Sequence, residues 1–190
     1  MTTTSKMNND IIYICTLNVA EHLFIDEPSY EFVKSCTCDA ASSRSSVICN
    51  INVDVLFHQG LQNMQHAIDD AQNITSKCQI CDALAESYYK YGKHIIIDTS
   101  VFSDRRYYRN PNNVKHDLDS VAKTITMNDT NYVLAGVVHY IQYGNVNNGH
   151  YIAYAFSGKY WYKYDDLKKK REIVNCTQEI NPHVILYVKC

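Results

Sequence analysis

The stretch GHYIAYAFSGKYWYKYDD, residues 149–166, decides how the fold and the chemistry of this chain are interpreted. Apolar and aromatic side chains alternate with other residues on both sides of Ser157-Gly158, which is typical of two antiparallel strands joined by a turn. Pairing these strands would bring His150, at the start of the first, next to Asp165, at the end of the second. An imidazole held by a carboxylate is the general-base half of a nucleophilic triad. The stretch therefore predicts half of a hydrolytic site.

A structural alternative exists for His150, because a histidine at a strand end is often satisfied by a backbone carbonyl. The preceding Gly149, together with Asp165 in reach across the hairpin, favours the catalytic interpretation. Asp166 is a second acidic partner, which could bind water or orient a backbone amide. His139, in the sequence VVHY, is expected inside a strand and is interpreted as structural.

The composition favours a strand-rich protein with a real core. The chain has 190 residues, 46% of them hydrophobic, with sixteen tyrosines against six glycines and three prolines. A chain of this length can bury one core, or two small lobes that share a sheet. The net charge of −2 argues against nucleic acid as a partner, because nucleic-acid-binding domains normally have a basic face. The basic run at 168–171 is interpreted as a solvated turn.

The sequence also argues against a membrane partner and against secretion. No apolar run approaches the ~20 residues that span a bilayer. The apolar run at 11–20 is interrupted by Asn18 and follows Asn8, Asn9 and Asp10, where a signal peptide would have basic residues. We therefore expect an intracellular protein, cytoplasmic or nuclear, whose closely spaced cysteines are metal ligands rather than disulfides.

Two cysteine pairs, Cys36-x-Cys38 and Cys78-x-x-Cys81, have thirty-nine residues between them. Four thiolates at such tight spacing can close a tetrahedral Zn²⁺ site, which would stabilise a small lobe with little core of its own. The alternative is a pair of unrelated cysteine clusters in the core. Cys49 is expected to lie on a strand and to pack.

The remaining patterns predict an α+β fold with a mainly antiparallel sheet. Residues 11–24 could form a strand or a helical turn, and VICNINVDVLF, residues 47–57, alternates like a strand. Apolar residues after Gly60 recur at helical spacing and predict one short amphipathic helix. The other predicted elements are a strand over 93–102, loops with a short strand over 103–131, and an antiparallel meander from 131 onward.

This order of elements resembles the finger and palm of ubiquitin-specific proteases, which belong to the papain-like cysteine protease superfamily. The resemblance rests on the paired cysteines, the strand HIIIDTSVF, the 149–166 stretch and the closing VILYV. It covers about residues 30–190 and is most specific in the C-terminal third. The matching residues are Tyr132, Leu134, Val137, Val138, His139, Gly144, Gly149, His150, Tyr151, Ala153, Tyr154, Trp161, Tyr162, Asp165, Asp166, Leu186 and Tyr187.

The resemblance implies a role for each residue of the site. His150 would be the general base, Asp165 its orienting carboxylate and Asp166 a secondary acidic partner. The four paired cysteines would hold a structural zinc. The implied substrate is ubiquitin on ubiquitylated proteins, with its globular part gripped between finger and palm. Gly149 and Tyr151 would line the narrow channel for its Gly-Gly tail.

The nucleophile is the least certain part of the resemblance. The family's cysteine box should lie in a helical thumb upstream of the finger, and Cys15 is the sole cysteine upstream of Cys36. The sequence CTLNVAEHLF faintly matches that box, and a helix N-terminus there would lower the pKa of a thiol. The alternative is that Cys15 is a packed apolar cysteine.

We expect an N-terminal segment over 1–29, which is a remnant thumb or disordered, a finger over 30–105 and a palm over 106–190. Three functional hypotheses follow. The chain is a shortened deubiquitinase that uses Cys15, or the C-terminal part of a split enzyme, or an inactive module that binds ubiquitin.

Overall fold

The computed structural model describes residues 19–73, 76–100, 116–143 and 149–190. The strands in these ranges are β1 (Tyr30–Ser35), β2 (Ala41–Ser46), β3 (Ile48–Cys49), β4 (Ser76–Lys77), β5 (Leu84–Tyr91), β6 (His94–Asp98), β7 (His116–Asp117), β8 (Thr124–Met127), β9 (Thr130–Gln142), β10 (Gly149–Phe156), β11 (Trp161–Tyr164), β12 (Glu172–Val174), β13 (Glu179–Ile180) and β14 (Pro182–Lys189). The helices are α1 (Val53–Gln59) and α2 (Met64–Gln72), with a 3-10 turn at Leu61–Asn63 between them, and residues 19–23 are also helical.

The larger sheet has eight strands in the order β12-β11-β10-β9-β14-β6-β3, and β8 pairs with β9 beside this path. Its neighbouring strands are antiparallel except for β3 and β6, which run parallel. β9 lies at the centre, with β10 on one side and β14 on the other. The α+β fold class and the antiparallel meander predicted from the sequence are therefore confirmed.

The two faces of the larger sheet are covered unequally. On one face, α1, α2 and the turn between them bury a large cluster, with Leu56, Leu61, Met64 and Ile68 packed with Ile95, Ile97, Ile185 and Tyr187. The other face carries a small cluster of Val47, Ile96 and Val184. Consecutive isoleucines of β6 thus point to opposite faces, as the period-two geometry of a strand requires.

The smaller sheet has the strand order β2-β1-β5-β4. Tyr30 and Phe32 of β1 are buried against the ring of Tyr89, whereas the residues of β2 from 41 to 45 are all exposed. The sequence patterns did not predict β1, β2 or β5. The serine-rich segment of β2 has low strand propensity, and it is extended because it pairs with β1 in a hairpin.

The prediction of one continuous strand over 47–57 is wrong after Cys49. β3 ends at that residue, and α1 begins at Val53 because Asn52 caps it. The Asn52 side-chain oxygen accepts a hydrogen bond from the backbone N–H of Asp54 at 3.0 Å. The helix then buries Leu56 in the core. The amphipathic helix predicted after this segment is confirmed as α2.

The predicted boundaries of the finger and palm stay predictions. The smaller sheet takes its strands from residues 30–91, but β3, α1, α2 and β6 lie in or on the larger sheet. Within the ranges given above, no helix is long and apolar enough to cross a membrane.

Candidate active site and cysteine cluster

The β10–β11 hairpin places His150 and Asp165 side by side. Its register pairs Ala153 with Tyr164, so Asp165 follows opposite Ile152, on the same face of the sheet as His150. The Nε2 atom of His150 lies 2.9 Å from Oδ1 of Asp165, which is a hydrogen-bond distance. The structure thus brings together the two side chains that the sequence pattern had singled out.

Asp165 is fixed by further contacts in its own turn. Its Oδ1 accepts the backbone N–H of Leu167 at 3.1 Å, and its Oδ2 lies 4.0 Å from Nζ of Lys163. Its backbone carbonyl accepts the N–H of Lys168 at 2.9 Å. The hydrogen bond from His150 lowers the pKa of the Asp165 carboxyl, and the Leu167 N–H and Lys163 act in the same direction. Asp165 is therefore ionised at neutral pH.

The charge on Asp165 determines which nitrogen of His150 carries the proton. An ionised carboxylate can only accept, so Nε2 donates and Nδ1 is left as the basic nitrogen. No hydrogen bond joins Nδ1 to another group in the part of the chain that the structure describes. Asp166 Oδ1 lies 3.4 Å from the same Nε2, but its side chain is 83% exposed, compared with 10% for Asp165. Asp165 is thus the principal partner, and Asp166 is a peripheral one.

Gly149 allows β10 to pack closely on β9 beside His150. A Cβ atom at this position would overlap the ring of Tyr140. Tyr140 is paired directly with Tyr151 across the two strands, with ring centroids 5.0 Å apart. A residue with a side chain at position 149 would therefore have to displace the Tyr140 ring.

A cleft of about 600 Å³ lies on the face that carries Tyr151 and reaches the two aspartates. Tyr151, Ala153, Val138 and Tyr164 supply its apolar and aromatic lining, and residues 168, 169 and 171 add basic side chains. The site therefore combines an acid–base pair with an adjacent groove.

His139 has the structural role expected from its position inside a strand. Its Nδ1 accepts the backbone N–H of Asn181 at 2.7 Å, across from β9 to the residue before β14. Burial lowers its pKa. A neutral, buried and hydrogen-bonded ring of this kind holds two strands together.

The four paired cysteines converge at one end of the smaller sheet. The sulfur of Cys36 lies 3.4 Å from that of Cys81, and the sulfur of Cys38 lies 3.6 Å from that of Cys78. All four ligand atoms lie within 4.8 Å of one another. Four sulfurs around zinc at about 2.3 Å are about 3.8 Å apart in a regular tetrahedron. The cluster therefore fits a Zn²⁺ ion.

Two similar turns aim the sulfurs at one point. In one turn Asp39 donates its N–H to the carbonyl of Cys36 at 3.0 Å, and in the other Asp82 donates to the carbonyl of Cys78 at the same distance. Asp39 and Asp82 each follow the second cysteine of their pair, and they have φ angles of 64° and 58°. Each chain thus reverses directly after its second cysteine.

The protonation of the cluster also favours a cation. Backbone N–H groups of Cys81 and Ile80 lower the pKa of Cys78 to about 6. For Cys81 the N–H of Ala83 lowers the pKa, but the hydrogen bonds from the neighbouring thiols outweigh it and raise the pKa to about 12. All four sulfurs can be thiolates together only if a cation compensates their charge.

The proposed nucleophile, Cys15, lies outside the residues that the structure describes. Of the other cysteines, Cys49 is buried on β3 as expected, and burial raises its pKa to about 12. Cys176 and Cys190 are exposed. No hydrogen bond joins any described cysteine to His150.

Sequence reasoning missed Lys163 and His183. Lys163 had a readable signal, because it lies two residues before Asp165 and so points to the same face of the strand. His183 is a polar residue in the apolar closing strand, and it is 1% exposed. Its isolation among apolar residues was the signal that it is buried.

A mainly antiparallel sheet that carries a His–Asp pair at a groove, with an attached cysteine cluster, is the architecture of a papain-like cysteine hydrolase. The family model of ubiquitin carboxyl-terminal hydrolases matches residues 2–187. This chain belongs to that family.

Solved structures of the SAGA DUB module share the fold. The Ubp8/Sgf11/Sus1/Sgf73 module gives a TM-score of 0.52 at 15% identity and covers 94% of this chain and 44% of that chain. A second structure, of the Ubp8-Sgf11-Sgf73-Sus1 module, gives 0.50 at 16% identity, with coverage of 86% and 39%. A third, of the yeast module with an Sgf73 mutant, gives 0.48 at 17% identity, with coverage of 86% and 41%.

The chain spans less than half the length of each of these structures' chains. A search of curated protein sequences finds no match to it.

Proposed function

We propose that this chain carries the acid–base half of a thiol-dependent deubiquitinase, which cleaves peptide and isopeptide bonds at the C-terminus of ubiquitin. The observation that carries the proposal is the 2.9 Å contact between His150 Nε2 and Asp165 Oδ1. Membership of the ubiquitin carboxyl-terminal hydrolase family supports the choice of bond. An intracellular location, cytoplasmic or nuclear, belongs to the same proposal, because a thiolate cluster requires reduced cysteines.

His150 is the general base in this proposal. Its Nδ1 takes the proton of the nucleophilic thiol, while Nε2–H stays bonded to Asp165, so that the imidazolium faces an ionised carboxylate. The thiolate adds to the carbonyl carbon of the terminal glycine. The imidazolium then gives its proton to the leaving amine as the C–N bond breaks. Water, deprotonated by His150, hydrolyses the thioester and releases ubiquitin and the thiol.

The other residues of the site position the substrate. Gly149 and Tyr151 line the channel for the Gly-Gly tail, and the groove beside Tyr151 accepts the adjoining chain. Asp166 is a secondary acidic partner of His150. The smaller and larger sheets act as finger and palm, which contact the globular part of ubiquitin between them.

One structural Zn²⁺ completes the smaller sheet in this proposal. Cys36, Cys38, Cys78 and Cys81 would hold it, and it would join the β1–β2 turn to the β4–β5 turn. The ion has no part in bond cleavage. Its function is to keep the finger folded where the apolar core is small.

The source of the thiol separates two versions of the enzyme. Cys15 supplies it in a chain that is active alone, whereas in a split enzyme a second polypeptide supplies it. The second version is favoured by one observation: the chain covers 39% and 44% of the two structures with the highest similarity described above.

An inactive ubiquitin-binding module is the alternative function. It is favoured by the lack of a hydrogen bond between His150 and any cysteine that the structure describes. Such a module would keep the two sheets and the zinc but would have no use for the basic Nδ1 of His150.

Ubiquitin with an electrophilic C-terminus separates these functions. A chain that is active alone forms an adduct at Cys15, which Cys15→Ser abolishes and Cys176→Ser, the exposed control, leaves intact. His150→Ala should slow adduct formation at least about 100-fold, since it removes the base. Replacing His58, an exposed histidine on α1, is the matched control.

The remaining outcomes are also decisive. Ubiquitin binding without an adduct, unchanged by His150→Ala, indicates the binding module. An adduct that appears on a second polypeptide only when this chain is present indicates the split enzyme. Neither adduct nor binding at high ubiquitin concentration contradicts the whole proposal.

A further inference from the structure

Both neighbours of His150 are held from the opposite face of the sheet by one aromatic cluster, which consists of Tyr140, Tyr151 and His183. The His183 ring stacks on Tyr140, with centroids 4.8 Å apart and an interplanar angle of 24°. The hydroxyl of Tyr151 lies 3.3 Å from Nδ1 of His183. The Tyr140 ring in turn occupies the space in front of Gly149. His183 thus contacts the residue after His150 directly and the residue before it through Tyr140.

A β-bulge brings His183 to this place. β14 pairs Pro182 with His139 and then Val184 with Val138, so two successive residues of β9 face three residues of β14. The extra residue is His183. Bulges of this kind bend the strand and turn a side chain, and they are common beside active sites. The regular alternation of β14 would have given His183 a different direction.

The environment of His183 favours a neutral ring with a fixed orientation. The residue is 1% exposed, and burial lowers its pKa to about 4. A neutral imidazole can stack on Tyr140 without the unfavourable burial of a charge. At neutral pH the ring is therefore a rigid part of the sheet.

We propose that His183 is a positioning residue, which fixes the backbone on both sides of His150 and thereby keeps His150 Nε2 aligned with Asp165. The inference rests on the proposed function, because it gives His150 the role of base. Tyr140 prevents Gly149 from moving toward β9, and the hydroxyl of Tyr151 is anchored to His183. With both flanking residues fixed, the direction of the His150 side chain is fixed as well. A displacement of about 1 Å in a catalytic group can reduce a rate about 100-fold.

The variant His183→Phe tests this role, since phenylalanine fills the site but has no ring nitrogen. His94→Phe is the matched control. His94 is another histidine of the larger sheet, 6% exposed and stacked on Phe24 at 4.6 Å, and it lies on β6 away from the hairpin. The readout is the nitrogen NMR spectrum of the His150 ring in the full, zinc-loaded chain. It shows which nitrogen is protonated and whether the ring exchanges between arrangements.

The wild-type and His94→Phe proteins should show one His150 tautomer, with Nε2 protonated and sharp lines. In His183→Phe we expect a second tautomer or exchange-broadened lines at a comparable melting temperature. If the chain hydrolyses ubiquitin conjugates, kcat should fall about 10-fold with less than a 2-fold change in KM, because alignment rather than binding is lost.

Tyr151→Phe keeps the test decisive if His183→Phe does not fold, because it removes only the hydroxyl bonded to His183. It should change the His150 spectrum in the same direction by a smaller amount. An unchanged His150 tautomer and line width in the folded variants would overturn the proposal. Failure of the wild-type chain to cleave ubiquitin would count against the proposed function instead, since the spectrum measures His150 without turnover.

Discussion

The smaller and larger sheets of this protein are stabilised by different interactions. The larger sheet buries Ile95, Ile97, Ile185 and Tyr187 completely. The smaller sheet buries Tyr30 and Phe32, while one of its outer strands, β2, is exposed along almost all its length. Four cysteines converge where this small core ends. A sheet with a large core is stable through apolar burial, whereas a sheet with little core requires a covalent or metal link.

Removal of the metal ligands should have the largest effect, and it should be confined to the smaller sheet. Cys78→Ser is expected to abolish a site that contributes on the order of 10 kcal/mol of metal-binding free energy in structural zinc domains. Amide hydrogen exchange in β1 and β5 should then become fast, while β6 and β14 stay protected. Cys190→Ser, at an exposed cysteine, is the control. Equal protection of β1 in both variants would contradict the metal link.

Truncation in the larger sheet should have the opposite distribution. Ile185→Ala removes a side chain with no exposed surface and should lower the free energy of unfolding by about 3 kcal/mol, through lost burial and a cavity. The fluorescence of Trp161, the single tryptophan and a buried residue of this sheet, can follow the urea transition. Ile173→Ala, at a residue that is 64% exposed, should change the free energy by less than about 0.5 kcal/mol. Zinc affinity should be equal in both variants.

Acid should weaken the larger sheet through its buried histidines. The pKa of His183 is lowered by burial to about 4 from an ordinary value of 6.5. Between these values the unfolded chain binds a proton that the folded chain does not, so stability falls as the pH decreases from 6.5 to 4. The loss from this residue is up to about 3 kcal/mol. Urea midpoints of Trp161 fluorescence at pH 7 and pH 5 measure it, and His183→Phe should show a smaller difference between the two pH values than the wild-type chain.

The smallest effect is expected at the turn between β10 and β11. Gly158 has a φ angle of 79°, and a Cβ atom there would meet no other atom within 4 Å. Gly158→Ala should therefore lower stability only through backbone strain, by about 1 kcal/mol. Gly158→Asn should cost less, because asparagine tolerates this conformation. A larger loss in either variant, measured by urea unfolding, would show that the hairpin contributes more than its turn.

The sequence predicted the hairpin of His150 and Asp165 because two constraints coincide there. Alternating aromatic residues specify the strands, and the Ser157-Gly158 pair specifies the turn. The register then follows, and with it the face on which His150 lies. The convergence of four cysteines was predictable for a similar reason, since their spacing is local on each side.

Other elements depend on contacts that no local pattern contains. The Val/Ile alternation of residues 47–57 indicated a strand, but Asn52 starts a helix and Leu56 is buried by helical packing. The exposed serines of β2 are extended only because β1 lies beside them. The bulge at His183 results from the pairing of two strands separated by forty residues in sequence, and so its side-chain direction was not predictable.

The burial of Cys49 determines how covalent labelling of this protein would be interpreted. Its thiol is 1% exposed with a pKa near 12, so it is nearly inert toward electrophiles at physiological pH. Four other sulfurs would be masked by an ion. Of the eight thiols in the chain, three are then left to react: Cys15, Cys176 and Cys190. A mass increase after alkylation of the metal-loaded protein would therefore report on only these positions, and peptide mapping could assign it directly.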